Sequence, residues 1–135
     1  MPHVSRYKLS KKAEEELVKN LNFALTHIGD GDEMVSFLNS LLTSTEKVML
    51  SKRLALIILI DEGLDDSKIA DILHMTVNTV AKMRMFYELK GQGFKIALKK
   101  LEEKKQLENF KKLLISLARY SIRAAGGYVK PTILD

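Results

Sequence analysis

The 135-residue sequence predicts an all-α domain, on three observations. Its two prolines, Pro2 and Pro131, stand near the ends, so the long stretch between them lacks that helix breaker. No segment sustains the period-two alternation of a half-buried strand, and apolar residues recur instead at three- and four-residue spacing. A chain of this length can bury one compact core without staples, and the absence of cysteine excludes disulfides and thiolate metal sites.

The elements follow in order. Ser10 is an N-cap before a first helix in which Ala13, Leu17, Leu21, Ala24 and Ile28 form the repeating face. Gly29, Asp30, Gly31 and Asp32 end it and cap a second helix, Glu33 to about Leu42, whose stripe is Met34, Phe37, Leu38 and Leu41. Thr43-Ser44-Thr45-Glu46 has capping-box spacing and opens a third helix, Thr45 to about Glu62. That helix contains the run Leu54 to Ile60, apolar on nearly every side, and Gly63 supplies its stop. A helix of this kind must be hidden, and a subunit interface would hide it; a homodimer is expected.

Asp66 to Arg84 carries the spacing of a helix-turn-helix, the whole unit covering about residues 66–87. Ile69, Ala70 and Leu73 form the inner face of a short helix, His74-Met75 a tight turn, and Thr76 the N-cap of a second helix anchored by Val80 and Met83. Such turns need positive φ, which histidine tolerates at a cost of roughly 1 kcal/mol. Helical spacing turns Val77, Val80, Met83 and Tyr87 toward the core and Asn78, Thr79, Lys82 and Met85 outward. After Gly91-Gln92-Gly93, read as a helix junction, one last long helix is expected from Phe94 to about Leu117, with Ile96, Ala97, Leu101, Leu107, Phe110, Leu114 and Leu117 as its stripe. The expected organisation is an N-terminal arm (1–8), a helical domain (9–117) and a C-terminal tail (118–135).

Charge is unevenly placed: residues 28–75 hold four basic side chains against nine acidic, whereas residues 76–100 hold six against one. The positive excess begins where the outward-facing helix begins, which favours a phosphate-facing surface over a merely solvated one. Asn78 can pair with adenine, Thr79 can contact a thymine methyl or a phosphate, and Lys82 or Arg84 can take guanine or backbone. Ser67 and Lys68 open the first helix of the unit, whose amides could grip a phosphate, although Asp65 and Asp66 crowd the same end and are expected to cap the helix. Lys52-Arg53 either reaches a phosphate or small anion or forms the wet side of a buried helix.

Other function classes find less support. His3, His27 and His74 are scattered rather than spaced as metal ligands, and no nucleophile-base pair, carboxylate pair or phosphate loop marks an enzyme. The longest apolar run is too short to span a bilayer, and the opening MPHVSRYKLSKK lacks a signal-peptide stretch; a cytoplasmic protein without membrane contact is expected.

FLNSLLTSTEKVMLSKRLALIILIDEG followed by SKIADILHMTVNTVAKM resembles the Trp repressor family, with closer similarity to its YerC/YecD-type members through SKRLALIILIDEG, Thr79-Val80 and Gly91-Gln92-Gly93-Phe94. The similarity covers about Phe37 to Leu101. It implies an intertwined all-α dimer that binds operator DNA and represses transcription, with Val77, Asn78, Thr79 and Ala81 at base edges and Lys82 and Arg84 near the backbone. Where that family clamps tryptophan between an arginine, matched here by Arg53, and an arginine-glycine pair, this chain has Lys82-Met83. Lysine lacks the planar fork and methionine fills the indole's space, so no tryptophan corepressor, and no cofactor, is expected.

The expected DNA contacts are therefore Ser67, Lys68, Thr76, Val77, Asn78, Thr79, Ala81, Lys82 and Arg84, with Arg53 a candidate effector or phosphate contact. The expected function is sequence-specific binding of double-stranded DNA by a transcriptional repressor. The alternative is a helical interaction module that docks proteins through the helix-turn-helix and the tail.

Overall fold

The structure is a computed structural model; it describes residues 8–124, with side chains through Tyr120. The described residues form seven α-helices and no strand. They are α1 (Lys11–His27), α2 (Gly31–Leu41), α3 (Ser44–Asp61), α4 (Asp66–Leu73), α5 (Val77–Lys90), α6 (Gln92–Glu103) and α7 (Leu107–Ala124). No helix among them is long and apolar enough to cross a membrane. The chain divides into two compact units, Met1–Lys47 and Val48–Asp135.

In the first unit the helix ends follow local chemistry. Ser10 Oγ accepts from Ala13 N at 3.2 Å, and Asp30 Oδ1 accepts from Asp32 N, starting α2 two residues earlier than its stripe suggests. Thr43 and Glu46 form the reciprocal box: Glu46 N donates to Thr43 Oγ1 at 3.1 Å and Thr43 N to Glu46 Oε1 at 2.9 Å. These hydrogen bonds from Thr43 hold the Glu46 carboxyl below its ordinary pKa. Neither α1 nor α2 has a buried residue, and Leu17, Val18, Phe23 and Val35 are each more than half exposed.

The second unit holds the core. Ala55 to Leu59 of α3 are buried with Leu64, with Ile69, Ala70, Ile72 and Leu73 of α4, with Val80 of α5, and with Leu114 and Ala118 of α7. The α3 run that was expected to need a subunit interface is thus covered, over those five residues, within a single chain. Gly63 at φ 86 lets the chain reverse after α3, with Gly63 N bonded to Ile60 O and Leu64 N to Leu59 O. Gly91 has a different necessity: a Cβ there would sit 2.2 Å from the Tyr87 carbonyl oxygen.

The C-terminal part departs from expectation. The single helix Phe94 to Leu117 is two, broken where Lys105 takes φ 60 and the Gln106 and Lys105 amides bond to Leu101 O and Glu102 O. Residues 102–106 are five successive polar side chains, so no apolar anchor holds a straight helix through them, and the bend lets α7 reach the core. The stripe is corrected accordingly: Ile96 is 62% exposed while Leu114 is 1% exposed. Ala118, assigned to the tail, is a core residue, and α7 continues to Ala124. The remainder of the expected tail and residues 1–7 of the expected arm lie outside the described residues.

Candidate nucleic-acid interface

The candidate interface is built from α4, a three-residue connection and α5. Asp65 Oδ1 accepts from Lys68 N at 2.9 Å and starts α4, leaving Ser67 and Lys68 exposed on its first turn. Four residues of α4 point inward, with Ala70 small enough for α5 to pack closely. His74 then adopts φ 53, ψ 55, and the His74 and Met75 amides both bond to Ala70 O, which ends α4 and redirects the chain. The Lys52 ammonium of α3 donates to the His74 carbonyl oxygen at 3.4 Å, a contact at the far edge of hydrogen-bond range.

Thr76 caps α5 by accepting from Thr79 N at 3.2 Å, and the two threonine hydroxyls lie 2.8 Å apart. Val80 is fully buried beneath, and Met83 and Tyr87 are half-buried. The opposite side carries Asn78, Thr79, Ala81, Lys82 and Met85, all exposed. Val77 joins them at 47% exposure, contrary to the inward direction drawn from spacing. It stands at the first position of the helix, beside the turn, before α5 meets its neighbour at Val80.

Arg84 has a duty that spacing did not reveal. Its Nε donates to Asp66 Oδ1 at 2.7 Å and its Nη2 to Leu64 O at 2.8 Å, with both side chains about 70% covered. The guanidinium is therefore engaged inside the fold, and the Asp66 charge, expected to weigh against phosphate at this end of α4, is paired. Tyr87, one turn further, donates its hydroxyl to Asp61 Oδ1 at 2.7 Å. That hydrogen bond, with partial burial and the Asp61 charge, pushes the phenol up to about 12. No family model, curated protein or solved structure matches this chain. What the surface can do therefore follows from its own chemistry.

Among the expected contact residues, the structure places Ser67, Lys68, Thr76, Val77, Asn78, Thr79, Ala81 and Lys82 in exposed positions on α4, the turn and the first half of α5. Arg53 is half-buried on α3, and Arg84 faces the α3–α4 connection. Sequence reasoning did not find the roles of Asp61, Leu64 O and Tyr87. A signal existed in the spacing of Arg84 and Tyr87, three residues apart on one helix face, but their acceptors are 18 to 26 residues away in sequence.

Asp61 also lines a concave feature. A cleft of about 470 Å³ runs between the end of α3, α6 and α7, floored by Ile58, Leu98 and Leu107 and rimmed by charges of both signs. Glu62 and Lys111 meet across it at 2.6 Å.

Proposed function

We propose that the protein is a non-enzymatic, sequence-specific double-stranded DNA-binding regulator of transcription, acting as a homodimeric repressor of the Trp-repressor-like kind. The observation that carries this is the exposed row Asn78, Thr79, Ala81 and Lys82 on a helix capped at Thr76 and seated on α4 through Val80. That is the arrangement in which a helix-turn-helix offers its second helix to the major groove, with short polar groups for base edges and a cation for phosphate. The basic excess of residues 76–100 supports it, as does the order of capped buried helix, short helix, left-handed turn and second helix. Ser67 and Lys68 add a backbone contact at the start of α4, and a cytoplasmic location follows. Lys82-Met83 argues against tryptophan as the effector.

The dimer rests on a different observation from the one the sequence offered. Ala55 to Leu59 of the α3 run are buried within one chain, whereas Leu17, Val18 and Phe23 of α1 and Val35 of α2 leave apolar surface uncovered. A second copy covering these faces gives two recognition helices for a two-fold operator. Leu17→Glu is expected to convert dimer to monomer in sedimentation equilibrium; an unchanged mass overturns this interface.

DNA binding is tested by selection of duplexes from a random library, followed by titration against salt. Enrichment of one motif, with affinity falling by a factor of about 10³ or more between low and moderate salt for six or more phosphate contacts, is the expected result. Absence of any salt-sensitive duplex affinity sinks the proposal. Met85, Phe86 and Leu89, all more than half exposed on α5, favour the second reading of a protein-docking helix. Under it, Phe86→Ala abolishes capture of a protein partner and no duplex is enriched.

A further inference from the structure

We propose that Arg84 and Tyr87 are positioning residues that set the rotation of α5, and with it the aim of Asn78, Thr79 and Lys82. The proposal rests on the DNA-reading role given to α5.

Its ground is the contrast between two kinds of contact along the inner face of that helix, which Val80, Arg84 and Tyr87 share at i, i+4 and i+7. At Val80 the contact with α4 is apolar, and apolar contact is non-directional: it holds a helix in place while leaving it free to roll by several degrees. One and two turns further along that face, at Arg84 and Tyr87, the contacts are directional. Arg84 spends two donors on separate acceptors, Asp66 Oδ1 at 2.7 Å and Leu64 O at 2.8 Å, which fixes the plane of its guanidinium as well as its position. Tyr87 adds a third bond, to Asp61 Oδ1 at 2.7 Å, from the next turn of the same face. The acceptors lie on both sides of Gly63, at the end of α3, in the connection and at the first residue of α4. The connection therefore acts as a bracket with two fastening points on α5. Readout by base edges demands placement within about 0.5 Å and 10–20°, which packing alone does not secure.

Asp66 separates positioning from simple electrostatics because the two predict opposite signs. Removing a carboxylate near bound DNA strengthens binding to every sequence if only charge matters. If Asp66 holds Arg84, its loss blurs base preference. The experiment uses the full chain, with Asp66→Ala, Arg84→Lys and Tyr87→Phe, titrated against the duplex enriched by the unaltered protein and a random duplex of equal length. Asp66→Ala and Arg84→Lys are each expected to lower the ratio of the two affinities about tenfold, a loss on the scale of one base contact, with Tyr87→Phe in the same direction. Arg84→Lys is the arm that excludes a phosphate role, since lysine serves a phosphate but cannot form the fork.

A DNA-free arm follows amide hydrogen exchange at Asn78 to Lys82. Faster exchange there in Asp66→Ala, without matching acceleration at Leu56 to Leu59, is the result expected of a loosened helix on an intact core. An unchanged affinity ratio, tighter binding to both duplexes, or unchanged exchange overturns the positioning role while leaving DNA binding in place. Failure of the unaltered protein to enrich any duplex overturns the DNA reading itself, and the aiming role with it.

Discussion

Lys111 Nζ lies 2.6 Å from Glu62 Oε1, joining α7 to the residue that follows the buried helix α3. The pair sits at the rim of the core that Leu114 and Ala118 complete, so α7 is a structural wall of the unit that carries the candidate interface. Both partners are about 70% covered, and the bond to Glu62 raises the Lys111 pKa, with the Glu108 and Glu102 charges adding to it and burial opposing.

Leu114→Ala should therefore destabilise the protein by about 2–5 kcal/mol, as expected for a fully buried leucine whose cavity only partly collapses. Leu113→Ala, at a side chain 56% exposed on the same helix, should change stability by no more than about 0.5 kcal/mol. Urea unfolding followed by circular dichroism distinguishes them, and equal losses at the two positions would contradict the placement of α7.

The left-handed turn between α4 and α5 offers a backbone test. His74→Val puts a β-branched residue at φ 53 and should cost about 1–2 kcal/mol beyond histidine. His74→Gly removes the steric penalty but adds unfolded-chain entropy, leaving a net gain of about 0.5 kcal/mol. Thermal midpoints should rank glycine above histidine above valine.

At alkaline pH the Asp61–Tyr87 contact should fail in a defined window. The phenol has an ordinary pKa of 10.0 and is pushed up to about 12 in the folded state. A raised pKa means the folded protein holds the proton more tightly, so the stabilisation is fully present below pH 10 and is lost as pH rises through about 12. Phenolate absorbance should show one late-titrating group, absent in Tyr87→Phe. Lys111 shifts in the same direction, so its contribution also disappears on the alkaline side.

On DNA, two neighbours on α5 should behave differently. Lys82→Ala should weaken binding to all duplexes alike and reduce the salt slope by about 1. Asn78→Ala should instead relax preference at one base position, costing about 1–3 kcal/mol against the best duplex and little against random sequence. Loss of preference in Lys82→Ala with affinity intact would reverse these roles.

The helix ends and the turn were legible because their chemistry is local. Ser10, Thr43 with Glu46, Asp65, Thr76 and His74 each act on backbone within five residues, and each does in the fold what its residue type suggests. The break at Lys105 was not legible, since the left-handed residue there is neither glycine nor asparagine and no proline follows closely. The face of Val77 was misjudged for a related reason: helical spacing gives a direction but not the point along α5 at which a neighbour begins.

By itself, then, the sequence determined the helical class, the caps, the turn and the row Asn78, Thr79 and Lys82, all of which depend on periodicity and short-range hydrogen bonding. Only the tertiary structure decided what covers α3 and what Arg84 is for. The first depends on α7 folding back through a bend that composition does not announce. The second depends on acceptors 18 and 20 residues away, at Asp66 and Leu64, which α4 and α5 bring within hydrogen-bond reach only once they pack.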